Sequence, residues 1–265
     1  MTISQFVTRI LPYVETMKPV ILMLAYNAER TIAKTFEAIP GSLKPYVIVG
    51  DDCSTDRTYD VARSIGLRVI RHERNLNYGG NLKRLYKIFL QEGGDIAIEV
   101  HADYQYEPSL VDLMVEYISR GHYDVIQANR IRSRAEALSR GMPLCRYLGN
   151  HSLTLFENLW FGTVFCEWHS GMRAYTREVI ADMPLDTFSD THSFASDILM
   201  CCVARGYRVA EVPCPVRYES ESSSVSVAGL FHYTFNTVMA ALKYPPWRRQ
   251  HFRASASAPH QPVGS

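Results

Sequence analysis

The chain has 265 residues, of which 47% are hydrophobic and 21% charged, and its formal net charge is +1. These proportions suit a folded chain with room for one large α/β domain and an appendage. The near-neutral balance lacks the basic excess needed to hold a nucleic-acid backbone, so no nucleic-acid partner is expected.

Residues 1–17 read as an N-terminal arm or short helix. Its apolar run is broken by Thr8, Arg9, Pro12, Glu15 and Lys18, which does not make a secretory signal. Val20 to Ala25 is a continuous apolar run ending at Tyr26-Asn27, the pattern of a strand buried on both faces. A helix follows over 29–39 and stops at Pro40-Gly41. The pattern then repeats. Tyr46–Val49 is a strand ending at Gly50-Asp51-Asp52, and a helix capped by Ser54 or Thr55 runs to about Ile65. Leu67–Ile70 is a strand, and 80–91 a helix closed by Gly93-Gly94. Ile96–Val100 is a strand ending at His101-Ala102-Asp103, Pro108 opens a helix to about Ser119, and Asp124–Ala128 is a fifth strand. Strand and helix alternating in this way predict an α/β fold with a mostly parallel central sheet and helices on both faces.

The second half is less regular. Residues 141–165 are apolar and aromatic, either core or the cover of a groove. A helix is expected at 193–205, a strand at 207–212 and a helix at 229–243 ended by Pro245-Pro246. Leu230, Phe231, Phe235, Val238, Met239 and Leu242, followed by Lys243, Trp247, Arg248, Arg249 and Arg253, suit either a helix packed on the sheet or one lying on an anionic membrane. The expected division is an arm at 1–17, a main domain at 18–228, the C-terminal helix with its basic flank at 229–253, and a disordered tail at 254–265. No run of 18 apolar residues exists, so no spanning helix is expected. The six cysteines form no C-x-x-C pair; they read as reduced, buried thiols of a cytoplasmic protein, peripheral at most on the inner face of a membrane.

Polar residues gather at the ends of the expected strands, where open parallel sheets bind ligands. Asp51-Asp52 cannot cradle a bare phosphate, because like charges repel, but suits hydrogen-bond donors such as a nucleobase N–H or ribose hydroxyls. Asp56 reads as a helix cap. His101 and Asp103, separated by the small Ala102, can face one space and offer a nitrogen and an oxygen ligand to a divalent metal. There is no G-x-x-x-x-G-K-[ST] loop, no G-x-G-x-x-G after the first strand and no G-x-S-x-G elbow.

Six segments, in order, resemble glycosyltransferase family 2 with the GT-A nucleotide-sugar fold, in its polyprenyl-phosphate (dolichol-phosphate) mannosyl- and glucosyltransferase form. They are Leu24–Asn27, Asp51–Asp56, Asn75–Gly80, His101–Pro108, Ser170–Tyr175 and Glu211–Pro213. The resemblance spans roughly residues 18–218. It implies a UDP-sugar or GDP-sugar donor, a lipid-phosphate or glycan acceptor, a divalent metal and an inverting transfer. It places Ala25, Tyr26, Asn27, Asp51, Asp52, Gly80, Lys83, Ala102 and Gln105 around the nucleotide sugar. Asp103 and His101 fall on the metal, and Arg173 faces the phosphates. Glu167 is a candidate base, with Asp197 its rival. An imidazole ligand favours Mn²⁺ over Mg²⁺. The chain departs from the pattern at Leu24 (usually Pro), Ala28 (usually Glu), Cys53 and Asn77 (both usually Gly), Glu167 (usually Asp) and His101 (usually acidic). With glycine missing at 53, that turn is expected to manage without positive φ. The alternative left open by His101 and Glu167 is a catalytically weak or inactive nucleotide-sugar-binding protein. A sugar nucleotidyltransferase would need a glycine-rich basic segment that residues 20–35 lack.

Overall fold

The computed structural model describes residues 17–130, 142, 144–215, 217 and 227–245. The expected arm, apart from Met17, the residues Trp247 to Arg253 and the expected tail lie outside the described residues.

The strands are β1 (Pro19–Ala25), β2 (Val47–Asp51), β3 (Arg68–Arg71), β4 (Ile96–His101), β5 (Val125–Asn129), β6 (Arg173–Thr176) and β7 (Val209–Pro213). They form one sheet in the order β3-β2-β1-β4-β6-β5-β7, and all pairings are parallel except the two made by β6. The helices are α1 (Ile32–Glu37), α2 (Thr58–Ser64), α3 (Asn77–Gln91), α4 (Val111–Ser119), α5 (Leu144–Phe161), α6 (Arg177–Asp182), α7 (Phe194–Ala204) and α8 (Val227–Leu242). All seven residues of β1 are buried, as its uninterrupted apolar sequence requires for a strand covered on both faces. One apolar cluster joins the β1, β2 and β4 strands to α1 and α4; a second joins them to α3, α6 and α7. A third, around Phe161, Trp168, Leu199 and Ala241, lies between α5, α7 and α8.

The predicted parallel sheet is therefore correct in its first four strands and incomplete beyond them. β6 is antiparallel and lies between β4 and β5, which the sequence reading took as successive parallel strands. Its four residues carry an arginine and are too short for a periodicity signal. The apolar stretch 141–165 contains the 18-residue helix α5. Cys201, Cys202 and Cys214 are buried free thiols as expected, but Cys166 is exposed.

Chain order turns at β1. The chain runs outward from β1 to β3 and then crosses back to β4 on the other side of β1. The crevice beyond β1 and β4 is thus the switch point at which open α/β sheets bind ligands. Register brings the ends level: Ala25 pairs with Asp51 and Leu24 with His101.

Among the described residues, four non-glycine residues have positive φ, Asn27, Cys53, Asn77 and Tyr104, all in segments that leave or face these strand ends. Cys53, at φ 59, corrects the expectation that its turn avoids this region. The left-handed conformation costs an L-residue about 1–2 kcal/mol, part of which glycine returns through its larger unfolded-state entropy. Cys53→Gly is therefore expected to stabilise the fold by up to about 1 kcal/mol, read as a higher urea midpoint at unchanged slope. A lower midpoint would contradict the strain assigned here.

Candidate active site

The loops after β1, β2 and β4 are tied to one another by side chains suited to bonding backbone. Asn27 N donates to Ser54 Oγ at 3.0 Å, and Thr55 N donates to Asn27 Oδ1 at 2.9 Å. Ala28 N donates to Thr58 Oγ1 at 2.6 Å, and Asp56 accepts from both Glu29 N and Thr58. The N-cap position of α2 is Arg57, with no side-chain cap bond, so neither Ser54 nor Thr55 caps that helix as expected; both bond Asn27 instead, and Asp56 ties Glu29 to Thr58 while reaching the cleft wall. Ala102 is held from two sides, its N–H on Leu24 O and its carbonyl under Thr35 Oγ1.

These loops enclose a cleft of about 580 Å³. Of the residues predicted around a nucleotide sugar and metal, it brings together Ala25, Tyr26, Asn27, Asp52, His101, Ala102, Asp103 and Gln105. Tyr26 is 54% exposed at the mouth, an open ring face on which a flat ligand can stack. Asp52 accepts from Leu76 N at 2.7 Å. Burial raises its pKa, against the lowering effect of the Leu76 and Asn77 amides and of His72. A desolvated carboxylate of this kind favours a ligand that brings hydrogen-bond donors.

Asp103 Oδ1 accepts from Gln105 N at 3.0 Å, which orients the carboxylate within its turn. His101 Nε2 lies 3.1 Å from the Gly171 carbonyl. A carbonyl only accepts, so Nε2 carries the proton and Nδ1 keeps the lone pair. Burial also lowers the His101 pKa, opposed by Asp103, which favours the neutral ring a metal requires. Among the described residues no three His, Cys, Asp or Glu side chains converge. Asp103 and His101 both line the cleft, and a carboxylate and a neutral imidazole are donors of the kind a divalent ion accepts.

The other expected residues lie outside the cleft lining. Asp51 is fully buried, its Oδ1 accepting from Ser54 N and its Oδ2 lying 3.4 Å from Arg71 Nε. Gly80 N and Gly79 N both donate to Asp190 O, and Lys83 Nζ bonds Phe188 O and Asp190 Oδ1. Asp197 Oδ2 accepts from Ser189 N at 2.9 Å, and its Oδ1 lies 3.6 Å from Lys243. Arg173 is fully buried and donates to the carbonyls of Ala195 and Trp168. Glu167 is fully buried against Arg130, which reaches it through its backbone N at 2.9 Å, Nε at 2.8 Å and Nη2. Burial opposes ionisation of Glu167, but Arg130 outweighs it and holds the carboxyl below its ordinary range.

The cleft also contains residues that the sequence reading passed over. Tyr78 stacks on His192 with ring centroids 5.3 Å apart and tilts against His101 at 5.5 Å. Arg217 lies 4.3 Å from the Tyr104 ring centroid, and Lys34 Nζ lies 4.4 Å from the same centroid. Arg217 N donates to Gln105 O at 2.9 Å. A single arginine between Pro215 and the serine-rich stretch gives no sequence signal. The one route to His192 is its loop, which α3 anchors through Gly79 and Gly80.

Residues 20–183 match the family model described as Glycosyl transferase family 2. A dolichyl-phosphate hexose transferase of Haloferax volcanii is 28% identical over 198 residues, covering 74% of this chain and 82% of that protein. A UDP-N-acetylglucosamine–dolichyl-phosphate N-acetylglucosaminyltransferase of Methanococcus voltae is 23% identical over 223 residues, covering 76% and 86%. Among solved structures, glucosyl-3-phosphoglycerate synthase from Mycobacterium tuberculosis in complex with UDP aligns with a TM-score of 0.65 at 20% identity, covering 92% of this chain and 84% of that one. That enzyme has also been solved with UDP beside Mn²⁺ and beside Mg²⁺.

The Glu167–Arg130 pair gives a test. Glu167→Gln leaves a buried guanidinium without its carboxylate, so it is expected to cost about 3–5 kcal/mol of stability. Because the folded pKa of Glu167 is depressed, its contribution is fully present above the unfolded value of about 4.3 and is lost as pH falls through the folded one. Denaturation of both proteins from pH 3 to 7 should show the wild type losing its advantage at the acid end. A variant as stable as wild type at pH 7 would rule out this structural role.

Proposed function

The chain belongs to glycosyl transferase family 2, and on that premise we propose that it moves a sugar from a UDP-sugar or GDP-sugar to a polyprenyl phosphate, with inversion and with a divalent metal. Its class is settled by the family: a nucleotide-sugar-dependent glycosyltransferase with an α/β GT-A fold. Donor, acceptor and metal are what the proposal adds.

The observation that carries the acceptor assignment is the state of the candidate bases. Glu167 is locked to Arg130, and Asp197 is engaged with Ser189 N and Lys243. A sugar hydroxyl must lose a proton to become a nucleophile, whereas a phosphate monoester is already largely anionic near neutral pH. An acceptor that needs no base fits carboxylates held in this way. Lipid phosphates are also what the Haloferax and Methanococcus relatives are named for.

In this reading Tyr26 stacks on the base, and Asp52 accepts from the base or ribose. Ala25, Asn27 and Ala102 supply the close backbone wall. Asp103 and His101 hold the metal, which would supply positive charge to the departing diphosphate. Gln105 fixes Asp103, and Arg217, paired to Glu107 and lying over Tyr104, braces the turn that carries them. Asp51, Gly80, Lys83 and Arg173 support the site by holding the loops around it. A hydroxyl acceptor remains the second reading, with Glu167 or Asp197 as base. It would be favoured if Asp197→Asn abolished turnover at unchanged stability.

A thermal-shift panel of UDP- and GDP-sugars with Mn²⁺ or Mg²⁺ tests donor and metal together. At a ligand concentration 100-fold above its Kd, binding stabilises by about 2.7 kcal/mol, a shift that identifies the right pair. Asp103→Asn is expected to remove the metal-dependent part of that shift and to lower transfer at least 100-fold, without lowering the melting temperature of the free protein. Manganese preference is expected where His101 ligates directly, and His101→Asn should then abolish it. A donor-dependent shift with no transfer or hydrolysis above background would favour the alternative, an inactive nucleotide-sugar-binding protein, and no shift with any donor would overturn both readings.

A further inference from the structure

Helices α5 and α8 expose apolar side chains on their outward faces and bury polar ones among the apolar residues of their inward faces. In α5 the exposed large side chains are Leu144, Leu148, Leu155 and Leu159, the last 77% exposed. Their spacing of 4, 7 and 4 residues confines them to an arc of about 60° along about 22 Å of helix. The opposite face carries the polar groups inward. Asn150 Nδ2 donates to Glu167, Asn158 Oδ1 accepts from Trp168 Nε1, and Glu157 is fully buried 3.0 Å from His169 Nε2.

Helix α8 repeats the arrangement. Phe235, Met239 and Leu242 are exposed, while Thr237 is fully buried and Tyr233 bonds His169 Nδ1 at 2.9 Å and Ser196 Oγ at 3.2 Å. The two helices are joined at their ends by Trp160 Nε1, which donates to the carbonyls of Ala241 and Tyr244. A water-facing helix puts leucine inward and glutamate outward. These helices bury Leu153, Phe161, Ala240 and Ala241 inward but carry a second apolar stripe outward, and eight of the eleven exposed large hydrophobics of the described residues belong to α5, α8 or Val164 just beyond α5.

We propose that α5 and α8 lay their outward apolar faces on the surface of an anionic lipid bilayer. The occupant follows from chemistry. Helix α8 has no Asp, Glu, Lys or Arg in its 16 residues, and α5 has only Arg146 and the buried Glu157. Lys243 then follows α8 with its side chain 57% exposed, and the sequence beyond adds Trp247, Arg248, Arg249 and Arg253. An uncharged apolar face with a basic end matches an interface of acyl chains and acidic headgroups. No helix among the described residues is long and apolar enough to cross a membrane, so the contact is with one surface. The inference deepens the polyprenyl-phosphate reading, because it presents the Glu157–His169–Tyr233 seam and the 167–173 segment beneath the lipid-facing helices.

The test is flotation of the full chain with vesicles of phosphatidylglycerol and phosphatidylcholine, containing no polyprenyl phosphate, and with pure phosphatidylcholine vesicles. Wild type is expected to float with the anionic vesicles and much less with the neutral ones. The double variant Leu155→Glu, Leu159→Glu is expected to lower the partition coefficient at least ~10-fold. Both leucines are exposed, so the variant should keep its melting temperature and its donor-induced shift. No flotation of the wild type, equal flotation of the variant, or equal binding to neutral vesicles overturns the proposal. So does a wild-type dimer in sedimentation that the variant dissolves, which would make a second copy the occupant. Loss of the donor shift in wild type would count against the transferase reading alone.

Discussion

The central position of β1 is the constraint on which the site depends. Parallel pairing on both edges fixes its register to β2 and β4 at once, so Ala25, Asp51 and His101 finish at the same level. Three chain segments must then leave the sheet in a small volume, and sequence-distant residues become neighbours without any local signal. Hydrogen bonds between the loops keep them open rather than collapsed: Asn27 to Ser54 and Thr55, Ala28 to Thr58, Ala102 to Leu24 and Thr35. The strain at Asn27, Cys53, Asn77 and Tyr104 is the local consequence, because turns this tight demand left-handed backbone where the chain supplies few glycines.

Around this cleft most charged groups hold structure together, and only a few are left for a ligand. Arg130 and Glu167 neutralise each other in the interior. Glu99 is buried under β4, where burial pushes its pKa up to about 7 despite Arg173 and the hydroxyl of Tyr86. Lys83 secures the 188–190 loop, and that loop in turn sets His192 against Tyr78. Asp52, Asp103 and the imidazole of His101 are what remain at the strand ends. That division has a physical basis, since a desolvated charge with fixed partners is a rigid brace and a poor acid or base.

How much of this was legible in the sequence follows from where the information lies. β1, β2 and β4 announce themselves as apolar runs ending in polar residues, and their order alone places a cleft at Tyr26, Asp52 and Asp103. β6 does not, because four residues beginning with a buried arginine have no period. Nor does the orientation of Arg173 or Glu167. Sequence proximity to Ser170-Gly171 says that they lie near the site, but only the packing of Trp168, Ala195 and Arg130 decides that they turn inward. The polarity of α8 was half legible. Its apolar residues also read as a core face, and the burial of Thr237 and the bonds of Tyr233 to His169 and Ser196 on the other side are tertiary facts.

The Ser170–Tyr175 segment shows what such a motif does physically in this chain. A Cβ at Gly171 would come within 2.7 Å of the Cε1 and Nε2 atoms of His101, so only glycine lets the imidazole approach its carbonyl. The Gly171 N–H is held at the same time by the Tyr106 hydroxyl at 2.7 Å. Two residues on, Arg173 spans the carbonyls of Trp168 and Ala195 and so fixes the backbone on which Gly171 sits. The arginine thus braces the segment whose Gly171 carbonyl meets His101 Nε2. An imidazole, unlike a carboxylate, presents two different nitrogens and so depends on such a partner, and at His101 the Gly171 carbonyl is that partner.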